Sequence, residues 1–275
     1  MKKRFIYLVM ILAGMINMLP VSVTAQKFYF KVDAGYGIPV STSNLNMYYL
    51  FNDILDSTTN TQTQINSSLG KGANFGISGG YRFNDHIACE LAVSYLLGSK
   101  TKAEHRFYQD NWEYSMSAYM FRIIPSVVIS GKLKKAEPYV RLGLVIGSGF
   151  IKYIDQENNY GYLEEYEWKF NKGVAIGLSS ALGMSYPLSD VCSIFAEIRN
   201  VNMSYAPQKG ILKKATKDGV DVLSQMTVRE KEIDFEKEID FREYDPDSPD
   251  VPQKSPSQKF PFGSVGINVG VKINL

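Results

Sequence analysis

The chain has 275 residues, with 30 Lys and Arg against 28 Asp and Glu, two cysteines and two histidines. A balance so near neutral, without a concentrated basic footprint, excludes nucleic acid as a partner. Two histidines cannot build a His-rich metal site, and no motif calls for a cofactor.

The first element is a targeting segment. Lys2, Lys3 and Arg4 precede an apolar run over residues 5–19, and Val23, Thr24 and Ala25 place small residues at a cleavage position. Residues 1–25 therefore read as a signal peptide, with Gln26 first in the mature chain. As a membrane anchor the run is short. Its loss leaves 27 basic against 28 acidic residues.

Eight segments with period-2 alternation follow: 28–40, 73–84, 87–98, 114–130, 138–152, 170–186, 191–205 and 260–275. Segments of about ten alternating residues are the unit of a membrane-spanning strand. The links after the second, fourth and sixth are short (84–86, 131–137 and 187–190). Those after the first, third, fifth and seventh are long (41–72, 99–113, 153–169 and 206–259). Strict alternation of short and long links predicts an all-β fold over 26–275. It is an eight-stranded antiparallel up-and-down transmembrane β-barrel with short periplasmic turns and long extracellular loops.

The smaller of the two faces decides the sidedness. In the sixth segment it runs Gly173, Ala175, Gly177, Ser179, Ala181, Gly183, Ser185, and in the second Asn74, Gly76, Ser78, Gly80, Arg82. Glycine weakens a strand, so its repetition on one face asks for a steric cause, which a narrow, crowded lumen supplies. The bulky face, including Ile176, Leu178, Leu182, Leu142 and Leu144, then meets lipid. Aromatics near segment ends, among them Phe28, Phe30, Tyr81, Phe83, Tyr95, Tyr153, Trp168, Phe170, Tyr205 and Phe260, fit interfacial girdles.

On this register Lys31, Asp33, Arg82, Glu90, Arg122, Arg141, Glu197, Arg199 and Lys272 all point inward. Unpaired charge there is costly, so a salt-bridged plug is expected, with a selective ion path as the alternative. Cys89 and Cys192 fall on the lipid face of the third and seventh strands, on opposite sides of the cylinder, and should not bond to each other. Pro125 cannot donate to a ladder and predicts a bulge.

Function has to sit in the loops. Lys231 to Phe235 repeats as Lys237 to Phe241, with Ile233, Phe235, Ile239 and Phe241 at two-residue spacing. This fits either a β-ribbon turning near Glu236 and Lys237 or a charged mobile loop. Tyr160, Tyr162, Tyr166 and Trp168, set among Glu157, Glu164, Glu165 and Glu167, fit a surface for a sugar or a protein, or a seat at the lipid headgroups. Asp245, Asp247 and Asp250 lack EF-hand spacing for Ca²⁺. His105 is the one candidate base on the extracellular side, with Ser115 and Ser117 near it in sequence, but no spacing marks a triad and no catalytic residue is assigned.

The stretches "FYFKVDAGYGIPV" at 28–40, "GISGGYRFNDHIACELAVSYL" at 76–96 and "VGINVGVKINL" at 265–275 resemble the small outer-membrane β-barrel family, the OmpA-like barrels common in Bacteroidetes. The resemblance implies residence in the outer membrane of a Gram-negative bacterium, with outer-membrane lipid and the barrel-assembly machinery as partners. Two departures stand out: Leu275 occupies the place of the family's terminal aromatic, and no peptidoglycan-binding domain follows. The expected function is a non-enzymatic, structural or adhesive surface barrel with an extracellular partner. A lipid A acyltransferase or deacylase, a narrow pore and a soluble lipocalin-like barrel are the alternatives.

Overall fold

The computed structural model describes residues 27–40, 51–55, 60–64, 67–108, 110–159, 161–240 and 248–275. The expected signal peptide, Tyr160, Phe241, Asp245 and Asp247 lie outside the described residues.

Eight strands form the wall. They are β1 (Phe28–Pro39), β2 (Gly72–Arg82), β3 (Ile87–Gly98), β4 (Asp110–Ser130), β5 (Glu137–Asn159), β6 (Ala175–Pro187), β7 (Cys192–Tyr205) and β8 (Ser264–Asn274). Each pairs antiparallel with its chain neighbour. The cylinder closes where β8 pairs with β1, from Tyr29 opposite Asn274 to Pro39 opposite Ser264. Closure removes every free edge, the condition under which a β-structure can cross lipid. Among the described residues no helix is long and apolar enough to do so.

Side-chain alternation holds around the wall. Ile176, Leu178 and Leu182 are each more than 60% exposed, while Ser179, Ala181 and Ser185 on the other face are buried. Glycine on the inner face has the steric cause expected of it. A Cβ at Gly80 would overlap the Tyr29 ring, and one at Gly183 would overlap the Tyr139 ring. Only a residue without a side chain leaves these two phenols room to lie across the lumen. Cys89 is exposed on the outer face, Cys192 is half-buried, and both are free thiols.

The pairing at Pro125 departs from the sequence expectation. Leu91 stands opposite Pro125 and Ser126 opposite Gly143 with no change of register on either side, so there is no bulge. The ladder to β5 merely lapses at Ile124 and Pro125. A Cβ at Gly143 would meet the Pro125 carbonyl oxygen at 2.6 Å, so the glycine lets the strands stay close where one donor is missing.

The wall also outgrows the membrane. β4 has 21 residues and β5 has 23, about twice what a tilted spanning strand needs. Above the membrane they carry an extracellular extension of the same sheet. Thr101–Phe107 pairs with β4, Tyr162–Asn171 with β5, and Lys209–Lys217 with Tyr162–Asn171. Glu232–Glu236 then pairs antiparallel with Lys209–Ile211 and parallel with Gln253–Pro256. Four expected boundaries change: β4 starts at Asp110 rather than 114, β5 runs to Asn159 rather than 152, β6 starts at Ala175 rather than 170, and β8 starts at Ser264 rather than 260, with Phe260–Pro261 a separate short strand against β7. The long links expected at 99–113, 153–169 and 206–259 are in large part strands. The ribbon expected around Glu236 and Lys237 does not form, because Glu232–Glu236 takes Gln253–Pro256 as its partner and residues 237–240 are not in a strand.

Candidate functional site: the barrel interior and its two mouths

Strand parity delivers the charged side chains to one level of the lumen. Lys31 and Asp33 come from β1, Glu90 from β3, Arg141 from β5, and Glu197 and Arg199 from β7; all six are buried. They form one chain of contacts. Lys31 Nζ lies 2.9 Å from Glu90 Oε2, and Arg141 bridges Glu90 Oε1 and Glu197 Oε1 at 2.5 Å each. Arg199 joins Glu197 Oε1 and Asp33 Oδ1, both at 2.8 Å. Tyr29 donates to Glu90 at 3.2 Å and Tyr139 donates to Glu197 at 2.8 Å. The Lys31 ammonium also sits 4.7 Å from the Phe195 ring centre. Three cations therefore face three carboxylates, Glu90 and Glu197 with three donors each and Asp33 with Arg199, the arrangement under which buried charge is tolerated.

Two further groups flank this network. Toward the periplasm, Arg82 Nη2 reaches both oxygens of Glu137, at 2.9 and 3.0 Å, and Lys272 Nζ reaches Glu137 Oε2 at 2.9 Å. Toward the outside, Arg122 is 2% exposed, and its guanidinium donates only to neutral oxygens, Ser94 Oγ at 3.1 Å and Asn74 Oδ1. The nine charges expected in the lumen are thus brought together in three clusters. Sequence reasoning missed Glu137, which it placed in a periplasmic turn. It also gave no role to Tyr29 and Tyr139. The inward parity of Tyr29 with Lys31, and of Glu137 and Tyr139 with Arg141, is the signal that could have found them.

Above Arg122 the interior changes character. Leu96, Met120, Val145, Ile151, Tyr153, Phe170, Tyr205, Phe260 and Phe262 form one apolar core, each 7% exposed or less. Its rings stack in sequence: Tyr114 on Tyr153 at 6.3 Å, Tyr153 on Phe170 at 6.2 Å and Phe170 on Phe260 at 6.4 Å, with Phe235 edge-on to Phe170 at 5.6 Å. Tyr153, Phe170, Tyr205 and Phe260 are therefore core residues, and Trp168 packs against them, so these five leave the expected girdle. For Tyr153 and Tyr205 strand parity already places them inside. Phe170 is turned inward because it belongs to a separate strand, divided from β6 by Lys172, whose φ of 65° breaks the alternation. The girdles that remain are Phe28, Phe30, Tyr81 and Phe83 at the periplasmic end, and Tyr95 against Phe121 toward the outside.

The expected loop contacts divide in the same way. Trp168, Ile233 and Phe235 are packed against the core, Ile239 is half-buried outside any strand, and Tyr162 is 68% exposed. Tyr166 is half-buried and donates to Glu164 at 2.6 Å, and burial together with that carboxylate pushes its phenol up to about 12. In the same extracellular sheet burial, reinforced by Glu157, raises the Asp155 carboxyl to about 7, and Asp155 Oδ1 has no hydrogen-bond partner among the described residues. His105 packs edge-on to Tyr114 at 5.4 Å, and its Nε2 is buried without a partner among the described residues. Pairing sets Lys102, not His105, opposite Ser115, so the one candidate base is not brought to a hydroxyl nucleophile there. The described residues hold no His, Cys, Asp and Glu cluster suited to a metal.

A closed eight-stranded cylinder with an aliphatic outer wall and an ionic interior defines a transmembrane β-barrel. The chain belongs to the outer membrane protein beta-barrel domain family, whose model matches residues 9–228, ending before β8. Solved structures it is similar to include Neisserial surface protein A, at 12% identity and TM-score 0.40 over 92% of this chain and 100% of that one. Others are OprG from Pseudomonas aeruginosa, at 11% identity and TM-score 0.41 over 91% and 96%, and Ail, the attachment invasion locus protein of Yersinia pestis, at 8% and 0.31 over 91% and 100%. A search of curated protein sequences found no match.

Proposed function

We propose that this protein is a non-conducting, non-enzymatic barrel of the Gram-negative outer membrane, exported behind a cleaved signal peptide, that holds a rigid extracellular sheet out to a partner at the cell surface. The observation that carries this reading is the filling of the interior at two successive levels. An ion network crosses the lumen, and an aromatic core lies directly above it with Arg122 sealed between them. Eight strands leave an interior that side chains can fill, so two stacked layers plug it to water and ions. The same core stiffens what stands above the membrane: β4, β5 and Tyr162–Asn171 contribute to it and Glu232–Glu236 packs against it, and so they present a fixed surface. Tyr108, Tyr162, Leu163 and Val220, all exposed, sit at or beside the tips of three hairpins and are the first side chains a partner would meet.

The reading is tested by reconstituting the refolded protein in planar bilayers. Closed traces over ±100 mV are expected, and steady unitary steps would overturn the plug in favour of a narrow pore. N-terminal sequencing of protein recovered from outer membranes should begin at Gln26. A surface-binding assay with Y162S/L163S and V220S should show weakened attachment with the fold intact.

A further inference from the structure

Within the membrane-spanning interior six cations face four carboxylates: Lys31, Arg82, Arg122, Arg141, Arg199 and Lys272 against Asp33, Glu90, Glu137 and Glu197. The central network is balanced at three and three. One surplus charge is Arg122, sealed beneath the apolar core. The other lies at the periplasmic mouth, where Arg82 and Lys272 share the single carboxylate Glu137. A small cavity of about 20 Å³, open at one end, lies at that place; Arg82, Lys272, Lys31, Tyr29, Phe195 and Ser185 are among its lining residues. Arg82 uses one nitrogen, Nη2, for both Glu137 oxygens, so Nη1 and Nε keep no side-chain acceptor among the described residues. Its side chain is 28% exposed, against 9% for Lys272.

We propose that the periplasmic mouth of the barrel is a binding site for one small oxyanion, a phosphate or a carboxylate, held by Arg82 and Lys272 beside Glu137. The mouth carries one cation in excess, the Nε and Nη1 groups of Arg82 each offer a single donor that Glu137 leaves free, and Lys272 supplies a point charge next to them. Low-dielectric walls, including the Tyr29 and Phe195 rings, strengthen the attraction relative to open water. This site does not depend on the extracellular role proposed above, since nothing in it lies outside the periplasmic half.

The test is calorimetric titration of the full-length protein, refolded in a non-ionic detergent at low ionic strength, with inorganic phosphate, acetate and chloride in separate runs. Saturable one-to-one phosphate or acetate binding is expected. R82Q and K272Q should each weaken it at least tenfold. E137Q, which removes the competing carboxylate, should strengthen it by a similar factor. The opposite signs matter, because general damage to the barrel would weaken binding in all three. Heat-modifiable gel mobility confirms folding of each variant, and if E137Q does not fold the two cation variants decide. The proposal is overturned by non-saturable heats, by unchanged affinity in R82Q and K272Q, by loss of binding in a folded E137Q, or by chloride binding as tightly as phosphate.

Discussion

The lower and upper halves of this barrel are filled by opposite means. Below, the lumen is crossed by an ion network in which nearly every charge has a named partner; above, it is packed with stacked rings and aliphatic side chains. The lower half lies within the bilayer, where strands must alternate and the interior is narrow. It accepts charge because every carboxylate in it is paired with a cation. The upper half has water rather than lipid outside its sheet, and so behaves as a small soluble domain whose inner face hides apolar surface. One continuous wall, running through β4 and β5, thus carries two solvents' worth of rules.

The comparison is broken most severely by removing one carboxylate from the lower half. Glu197→Ala leaves Arg141 and Arg199 without their shared acceptor in the closed interior. It should cost about 3–5 kcal/mol of folding stability, the range for breaking a buried pair from one side. Urea unfolding in lipid vesicles, followed by tryptophan fluorescence and gel mobility, reads the loss, and a cost under about 1 kcal/mol would contradict the network. In the upper half Phe170→Ala removes the ring on which Tyr153, Phe260 and Phe235 converge. A loss near 3 kcal/mol is expected from the cavity. Because Phe170 lies above the spanning segment, proteolysis of the extracellular sheet should quicken while the barrel stays assembled.

These two halves were not equally legible in the sequence. Period-2 alternation and the small inner face already gave the closed cylinder, its sidedness and the inward direction of all nine lumen charges, because lipid on one side and crowding on the other impose the same pattern on every strand. Above the membrane that constraint is gone. Trp168 and Phe170 read as girdle aromatics since nothing in the local pattern reveals the break at Lys172, and the contacts of Phe235 depend on Gln253–Pro256 pairing across a long separation. Glu137 was missed for a third reason: its role comes from Arg82 and Lys272 on two other strands.

Arg122 stands at the boundary and sharpens the contrast between the halves. Among the described residues it is the one fully buried cation with only neutral partners, Ser94 and Asn74. Arg122→Met puts a flexible apolar chain under Leu96 and Met120 and relieves an uncompensated charge, at the expense of two hydrogen bonds. The net change should stay within about 1.5 kcal/mol, as for a volume-conserving core exchange, and far below that of Glu197→Ala. A loss as large as that of Glu197→Ala would mean that Arg122 belongs energetically to the ion network. The same urea titration decides it.

The smallest expected effect lies in the upper half and appears only with pH. Asp155 is half-buried in the extracellular sheet, beside Glu157, and its folded-state value is about 7 against an ordinary carboxylate value of 3.8. A folded-state value raised in this way means that the native state binds the proton more tightly than the unfolded chain does. Stability therefore falls as pH rises from about 4 to 7, and the penalty is complete above 7. Asp155→Asn keeps the shape and cannot ionise. It should be more stable than the parent at pH 8 by about 1 kcal/mol, because water that still reaches a half-buried carboxyl screens much of the cost of its charge, and the difference should shrink toward zero by pH 4. Thermal unfolding of the two proteins at pH 4, 6 and 8 gives the comparison. If the parent gains stability relative to the variant as pH rises, then Asp155 is held ionised by a partner and the upper half is not the water-poor packing that its rings imply.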